Sequence, residues 1–131
     1  MTGDTDRVWI GVDLALAIHN RQIAEHGGDT GVRDLGLLES ALARPRHAVA
    51  YEDADIARCA ALYGHGVALN HPFVDGNKRV ALVVMRTFIR LNGHNLRVEP
   101  IELYEMMMKL ASGNLAIEPL TTWIRERLVE C

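Results

Sequence analysis

Cysteine occurs only twice in the 131 residues, at Cys59 and Cys131, with no spacing that suits a zinc site or a disulfide framework. Cys59 lies in an apolar stretch and reads as core, which fits a reducing compartment. Aromatic residues make up 5% of the chain. Val, Ile and Thr total 25 against 31 for Leu and Ala, so the composition leans toward helices. There is no basic excess: 14 Lys and Arg against 17 Asp and Glu give a net charge of −3. That excludes a surface that is basic all over and grips nucleic acid by charge alone. The longest near-apolar run, Val80 to Val84, falls far short of the ~20 residues that span a bilayer. Met1 to Arg7 is polar and carries two Asp, so no signal peptide is expected, and the predicted location is cytoplasmic. What remains, 49% apolar and 24% charged, describes an ordinary globular domain. No repeat, low-complexity tract or linker divides it, so residues 1–131 are read as a single domain.

Apolar residues recur at helical spacing through most of the chain. A first helix is predicted from about Val12 to His26, with Leu14, Ala17 and Ile18 inward, stopped by Gly27-Gly28. A second starts after the cap residue Asp34 and reaches Ala43, where Pro45 ends it. A third, about Ala54 to Asn70, presents Ile56, Cys59, Ala60, Tyr63 and Val67 on one side and cannot pass His71-Pro72. A fourth runs from Asn77 to Leu91, and its apolar stretch at 80–84 predicts a helix in the middle of the bundle. His94 to Val98 reads as extended. Pro100 opens a fifth helix to about Ala111, closed by Gly113, and a sixth runs from about Pro119 to Val129 with Leu120, Trp123, Ile124 and Leu128 inward. The expected architecture is all-α, a compact bundle of about six helices.

One stretch stands apart: His71-Pro72-Phe73-Val74-Asp75-Gly76-Asn77-Lys78-Arg79, at the junction of helices three and four. Backbone N–H groups at Gly76, Asn77 and Lys78 sit where a helix begins, with unpartnered donors and a positive dipole end, which suits an anion. Gly76 allows close backbone approach or a positive φ. Lys78 and Arg79 add charge, and a guanidinium can grip two phosphate oxygens. Asp75 is a hard oxygen ligand of the kind Mg²⁺ uses while borrowing substrate phosphate oxygens. His71, four residues earlier across a short turn, can take the proton from an attacking hydroxyl, and Phe73 points inward to pin the loop. These residue types together predict a phosphate-bearing ligand, a metal, and a base for a nucleophile.

The pattern H-P-F-x-D-G-N-K-R resembles the signature of the Fic/Doc superfamily, and Lys after Asn places it in the Doc (death-on-curing) branch. Ile18-His19, His26-Gly27-Gly28, Gly31-Val32-Arg33-Asp34 with Leu37-Leu38-Glu39, and Arg44-Pro45 fit the same branch. The resemblance implies a fold with the motif loop between helices 3 and 4. It implies that His71 activates a Ser or Thr hydroxyl on a target protein and that Asp75 coordinates Mg²⁺. Gly76 and Asn77 then form an anion nest, Lys78 and Arg79 hold the phosphates of ATP, and Phe73 is structural. Proteins of this branch are toxins that phosphorylate elongation factor Tu and arrest translation, restrained by a small antitoxin whose C-terminal segment folds onto them. The adenylylating branch carries Gly where Lys78 stands and a second Arg where this chain has Leu82; both departures favour transfer of the γ-phosphoryl group over AMP. No Ser/Thr-x-x-x-Glu followed by Gly or Asn occurs, so inhibition is expected from another chain. Nucleotidyl transfer to a protein hydroxyl, or a phosphate- or peptide-binding module without chemistry, are the alternatives.

Each residue also has a plainer role: His71 a helix cap, Asp75 a turn residue before Gly, His19 a hydrogen-bonded buried histidine. Arg86 and Arg90 read as a solvated face and Met106-Met107-Met108 as core filler. His47, His65 and His94 have no zinc-like spacing. Between Gly76 and Val98 there are five basic residues and no acid, a +5 segment, so the mildly acidic average conceals one cationic site built for phosphates.

Overall fold

The computed structural model describes residues 7–131; the polar stretch Met1 to Asp6 lies outside them. Six helices are present among the described residues: α1 (Val12–His26), α2 (Leu35–Glu52), α3 (Ile56–Asn70), α4 (Asn77–Leu91), α5 (Pro100–Ala111) and α6 (Ile117–Arg127). Two short strands, β1 (His94–Leu96) and β2 (Leu128–Glu130), pair antiparallel with Leu96 opposite Leu128. The all-α expectation holds, and local chemistry sets most boundaries. Gly27 takes φ 82° and donates its N–H to the Ile23 carbonyl at the end of α1. Asp34 accepts from the Leu37 N–H at the start of α2, and Glu99 and Glu102 form a reciprocal capping box around Pro100.

Four expectations fail, each because packing overrides a local signal. Helix α2 does not stop at Pro45 but carries it inside and continues to Glu52. An interior proline costs about 3 kcal/mol. The second half of α2 offsets that by burying Pro45, Ala48 and Val49 where α2 lies on α3. The centre of the bundle is α3 rather than α4: α3 is buried nearly all round and packs on α2, α4 and α6. Finally, α1 buries Ala15, Ile18, His19 and Ile23, while Leu14 is 38% exposed and Ala17 faces out. The chain past Arg127 leaves the helix to pair with β1, an exchange of helical for cross-strand hydrogen bonds that only the folded neighbour makes available.

Small residues let α3 take its central place. A Cβ on Gly66 would sit 3.1 Å from the Ala41 Cβ and 3.3 Å from its Cα, so α2 and α3 touch almost backbone to backbone. Around them the core is filled by Tyr63, Phe88, Met85, Val84 and Ile124, and the Tyr63 hydroxyl accepts the Ile10 N–H. Cys59 is buried in this core, and desolvation pushes its thiol up to about 11, so it is inert near neutrality. No described helix is long and apolar enough to cross a membrane.

Asp55 closes the start of α3 by accepting from the Arg58 N–H at 2.8 Å and from Arg125 of α6 at 2.9 and 3.1 Å. Partial burial raises its pKa, but the Arg125 guanidinium and the Arg58 N–H outweigh this and hold the carboxyl below the usual aspartate value. Because the folded value is the lower one, the Asp55 contribution is complete above about pH 4–5 and is lost as pH falls through the lowered value. Thermal melts against pH should show wild type and Asp55→Ala separated by a constant gap near neutrality that closes under acid. Substituting Gly66→Leu should lower stability by about 1–3 kcal/mol through overpacking, read as a smaller urea midpoint with an unchanged slope.

Candidate active site

The motif connects α3 to α4, and both its ends are marked by left-handed backbone. His71 caps α3 with φ 49°, and Gly76 caps α4 with φ 79°. Pro72 denies α3 any continuation, and Arg33 holds the exit: its Nε donates to the His71 carbonyl at 2.7 Å and its Nη2 to the Asn70 carbonyl at 2.9 Å. The loop then pairs with the segment after α1. Arg33 and Asp34 N–H groups donate to the Pro72 carbonyl, Val74 N–H donates to the Gly31 carbonyl, and Val32 bridges Phe73.

Phe73 is 1% exposed and stacks on the buried His19 ring at 4.0 Å with 5° between planes. Asn77 folds the loop back on α4: its Oδ1 accepts the Phe73 N–H at 2.9 Å and its Nδ2 donates to the Phe73 carbonyl at 3.0 Å. The Asn77 side chain is therefore spent on the loop, and its backbone N–H has no partner among the described residues. Gly76 is likewise occupied, its N–H donating to Asp75 Oδ1 at 2.8 Å. Among the described residues the unpartnered donors at the start of α4 are thus those of Asn77, Lys78 and Arg79, one position along from the sequence expectation.

Asp75 is exposed at the loop tip, and its second oxygen accepts the Asp29 N–H at 3.2 Å. Gly28 makes this fit possible, since a Cβ there would come within 2.7 Å of Asp75 Oδ2. Each carboxylate oxygen holds one N–H and keeps lone pairs for another ligand. Among the described residues no group of three His, Cys, Asp or Glu could cage a metal. A lone exposed carboxylate beside an anion site suits Mg²⁺, which retains water and takes substrate phosphate oxygens, better than a cation that needs an all-protein shell.

These elements enclose an open cleft of about 420 Å³ lined by His71, Val74, Asp75, Gly76, Asn77, Lys78 and Arg79. The structure thus brings together six of the seven residues singled out from the sequence and places the seventh, Phe73, beneath them in the core. Among the described residues the His71 imidazole has no hydrogen-bond partner, and neither Lys78 nor Arg79 has a carboxylate partner. The five cations between Gly76 and Val98 do not form one site. Arg86 is half-buried and donates to the Leu96 carbonyl, Arg90 is exposed elsewhere on α4, and Arg97 lines a separate pocket with Glu99, Glu102 and Glu126. Beside the cleft, Lys78 and Arg79 also border an apolar groove between α4 and α5, lined by Leu82, Leu103, Tyr104, Met107 and Met108. Of the three methionines only Met106 is core; Met108 is 52% exposed. Arg33, Gly28 and the Asp29 N–H support the site from a loop more than 35 residues away in sequence; Gly28 and Arg33 fit the family pattern, but nothing in the sequence gives them a role at the site.

Backbone donors, two cations, a carboxylate and an imidazole around one cleft make it a candidate site for an anion with several oxygens. The profile of the Fic/DOC family matches residues 9–89, which include the whole motif, and the chain belongs to that family. It is 32% identical over 111 residues to a protein of Escherichia phage P1 named Protein kinase doc, covering 84% of this chain and 87% of the relative. It is also 43% identical over 75 residues to Toxin Doc of Mycolicibacterium smegmatis, covering 56% and 58% of the two chains.

The side-chain roles separate experimentally. Asn77→Ala strands the buried Phe73 N–H and carbonyl and should lower stability by about 2–3 kcal/mol in urea unfolding. Lys78→Ala removes only an exposed side chain and should stay within about 0.5 kcal/mol of wild type in the same measurement.

Proposed function

We propose that the chain, acting as one domain over residues 1–131, is a Doc-type toxin and a protein kinase that transfers the γ-phosphoryl group of ATP to a hydroxyl on elongation factor Tu, arresting translation. The observation that carries this reading is the His71 imidazole in the same cleft as Lys78, Arg79 and the first turn of α4, whose N–H groups have no partner among the described residues. The donors of Asn77, Lys78 and Arg79 bind phosphate oxygens, and the side chains of Lys78 and Arg79 neutralise the charge that spreads over the transferring group. Mg²⁺, held by Asp75 and phosphate oxygens, would supply further charge neutralisation and fix the phosphate geometry.

In the reaction His71 accepts the proton of a Ser or Thr hydroxyl as that oxygen bonds to the γ-phosphorus. The bond from phosphorus to the β–γ bridging oxygen breaks, and ADP leaves. A long side chain at Lys78 would obstruct the phosphate placement that AMP transfer needs, and Leu82 on the next turn offers no second phosphate clamp, which favours γ-phosphoryl transfer. Restraint in trans by a small antitoxin fits the apolar groove between α4 and α5: it gives a partner's C-terminal segment a seat next to the cations, with Tyr104 62% exposed.

Purified protein incubated with elongation factor Tu and ATP should add label to the factor from γ-labelled but not α-labelled ATP, and His71→Ala should reduce the rate at least 100-fold. Label from the α-position would replace kinase by nucleotidyl transfer. ATP binding without any transfer, identical in His71→Ala, would leave a binding module.

A further inference from the structure

One buried polar group near the cleft is not used by the reaction just described. His19, in the middle of α1, is 2% exposed, and its Nε2 lies 3.0 Å from the carbonyl oxygen of Asp75, 56 residues away. A carbonyl can only accept, so Nε2 carries the proton and donates. The ring cannot drift, because it stacks against Phe73, which the Asn77 amide holds by both backbone groups.

The Asp75 carbonyl and the Gly76 N–H belong to one peptide plane. His19 grips one edge of that plane, and Asp75 Oδ1 accepts from the other edge at 2.8 Å. Gly76, in the left-handed region, is otherwise a permissive pivot, and the peptide before it would be free to rotate. Rotating that plane would turn the Gly76 N–H away from Oδ1 and release the carboxylate from one of its two tethers, leaving only the Asp29 N–H. Space is set for this arrangement: a Cβ on Gly76 would approach the Ile23 side chain at 3.3 Å, and its next neighbour is the His19 ring at 3.9 Å.

We infer that His19 is a positioning residue that fixes the Asp75–Gly76 peptide plane and thereby aims the Asp75 carboxylate at a divalent cation. It never touches a ligand itself. The inference rests on the reading of Asp75 as the Mg²⁺ carboxylate. Two substitutions divide its contacts. His19→Gln keeps an N–H donor near the Nε2 position and loses the stacked ring; His19→Phe keeps the ring on Phe73 and loses the donor.

The test measures ATP binding calorimetrically across a Mg²⁺ titration, with thermal melts in parallel. In His19→Phe the half-saturating Mg²⁺ concentration should rise about five-fold, the scale of one lost neutral hydrogen bond, with ATP affinity at saturating Mg²⁺ near wild type. His19→Gln should return it to within about two-fold of wild type even where its melting temperature is the lower of the two. A Mg²⁺ dependence that is abolished in Asp75→Ala but unchanged in His19→Phe overturns the role of His19 alone. A half-saturation that tracks melting temperature rather than the donor also overturns it, making His19 a packing residue. Wild-type ATP binding that is indifferent to Mg²⁺ overturns the metal reading of Asp75 and this inference with it.

Discussion

Two hydrogen bonds between the Asn77 amide and the backbone of Phe73 close the connection between α3 and α4 into a fixed loop, and the site is built on that closure. Both partners are buried, so the bonds replace water that could not reach these groups, and leaving them unmade would cost the full desolvation of two backbone dipoles. With the loop closed, Phe73 is driven into the core against His19, and His71 and Asp75 are left at the two shoulders of the turn. With the same loop open, the start of α4 would still carry free donors, but Phe73 would lose both backbone bonds that hold it between the base and the carboxylate.

The division between groups used by the fold and groups left over explains why this spot can act on a ligand. Backbone polar groups in a folded chain are nearly all satisfied, so the exceptions carry information. Gly76 N–H, the Asn77 side chain, and the carbonyls of Asn70, His71, Pro72 and Asp75 are all occupied within the chain. Among the described residues, what stays open is the N–H groups of Asn77, Lys78 and Arg79 together with the side chains of His71, Lys78 and Arg79, all lining one cleft. An anion with several oxygens satisfies all of them at once.

Much of this was legible in the order of residues because the signals are local. Helix α4 spans Asn77–Leu91 as expected, since a glycine before it and Asn-Gly after it are stop signals that no distant contact contradicts. Helix α5 begins at Pro100 for the same reason. Pro45 misled: its local cost is real, yet burial of the following turns on α3 exceeds it. The short strand β2 was missed because Leu128–Glu130 has no extended signature of its own and pairs only because β1 is there. The +5 segment misled in another way, since helical periodicity and the turn beyond α4 send Arg86 and Arg97 to places that the cleft does not reach.

The sequence by itself determined the chemistry available: an imidazole, a carboxylate, a glycine, an amide and two cations within nine residues, at a break that proline and glycine impose on any helical reading. That information is local because caps, turns and helix termini are set by neighbours along the chain. Only the tertiary structure decided which of those groups would be free. The Asn77 amide turned inward, the donors shifted to Asn77, Lys78 and Arg79, and Asp75 was held by Asp29 across a gap that Gly28 leaves open. Those outcomes depend on where α1 and the segment after it pack against the loop, and the close approach of chain segments 40 to 60 residues apart follows from burying a shared core. Local pattern names the reagents, and long-range packing selects which of their hydrogen-bonding groups remain unsatisfied.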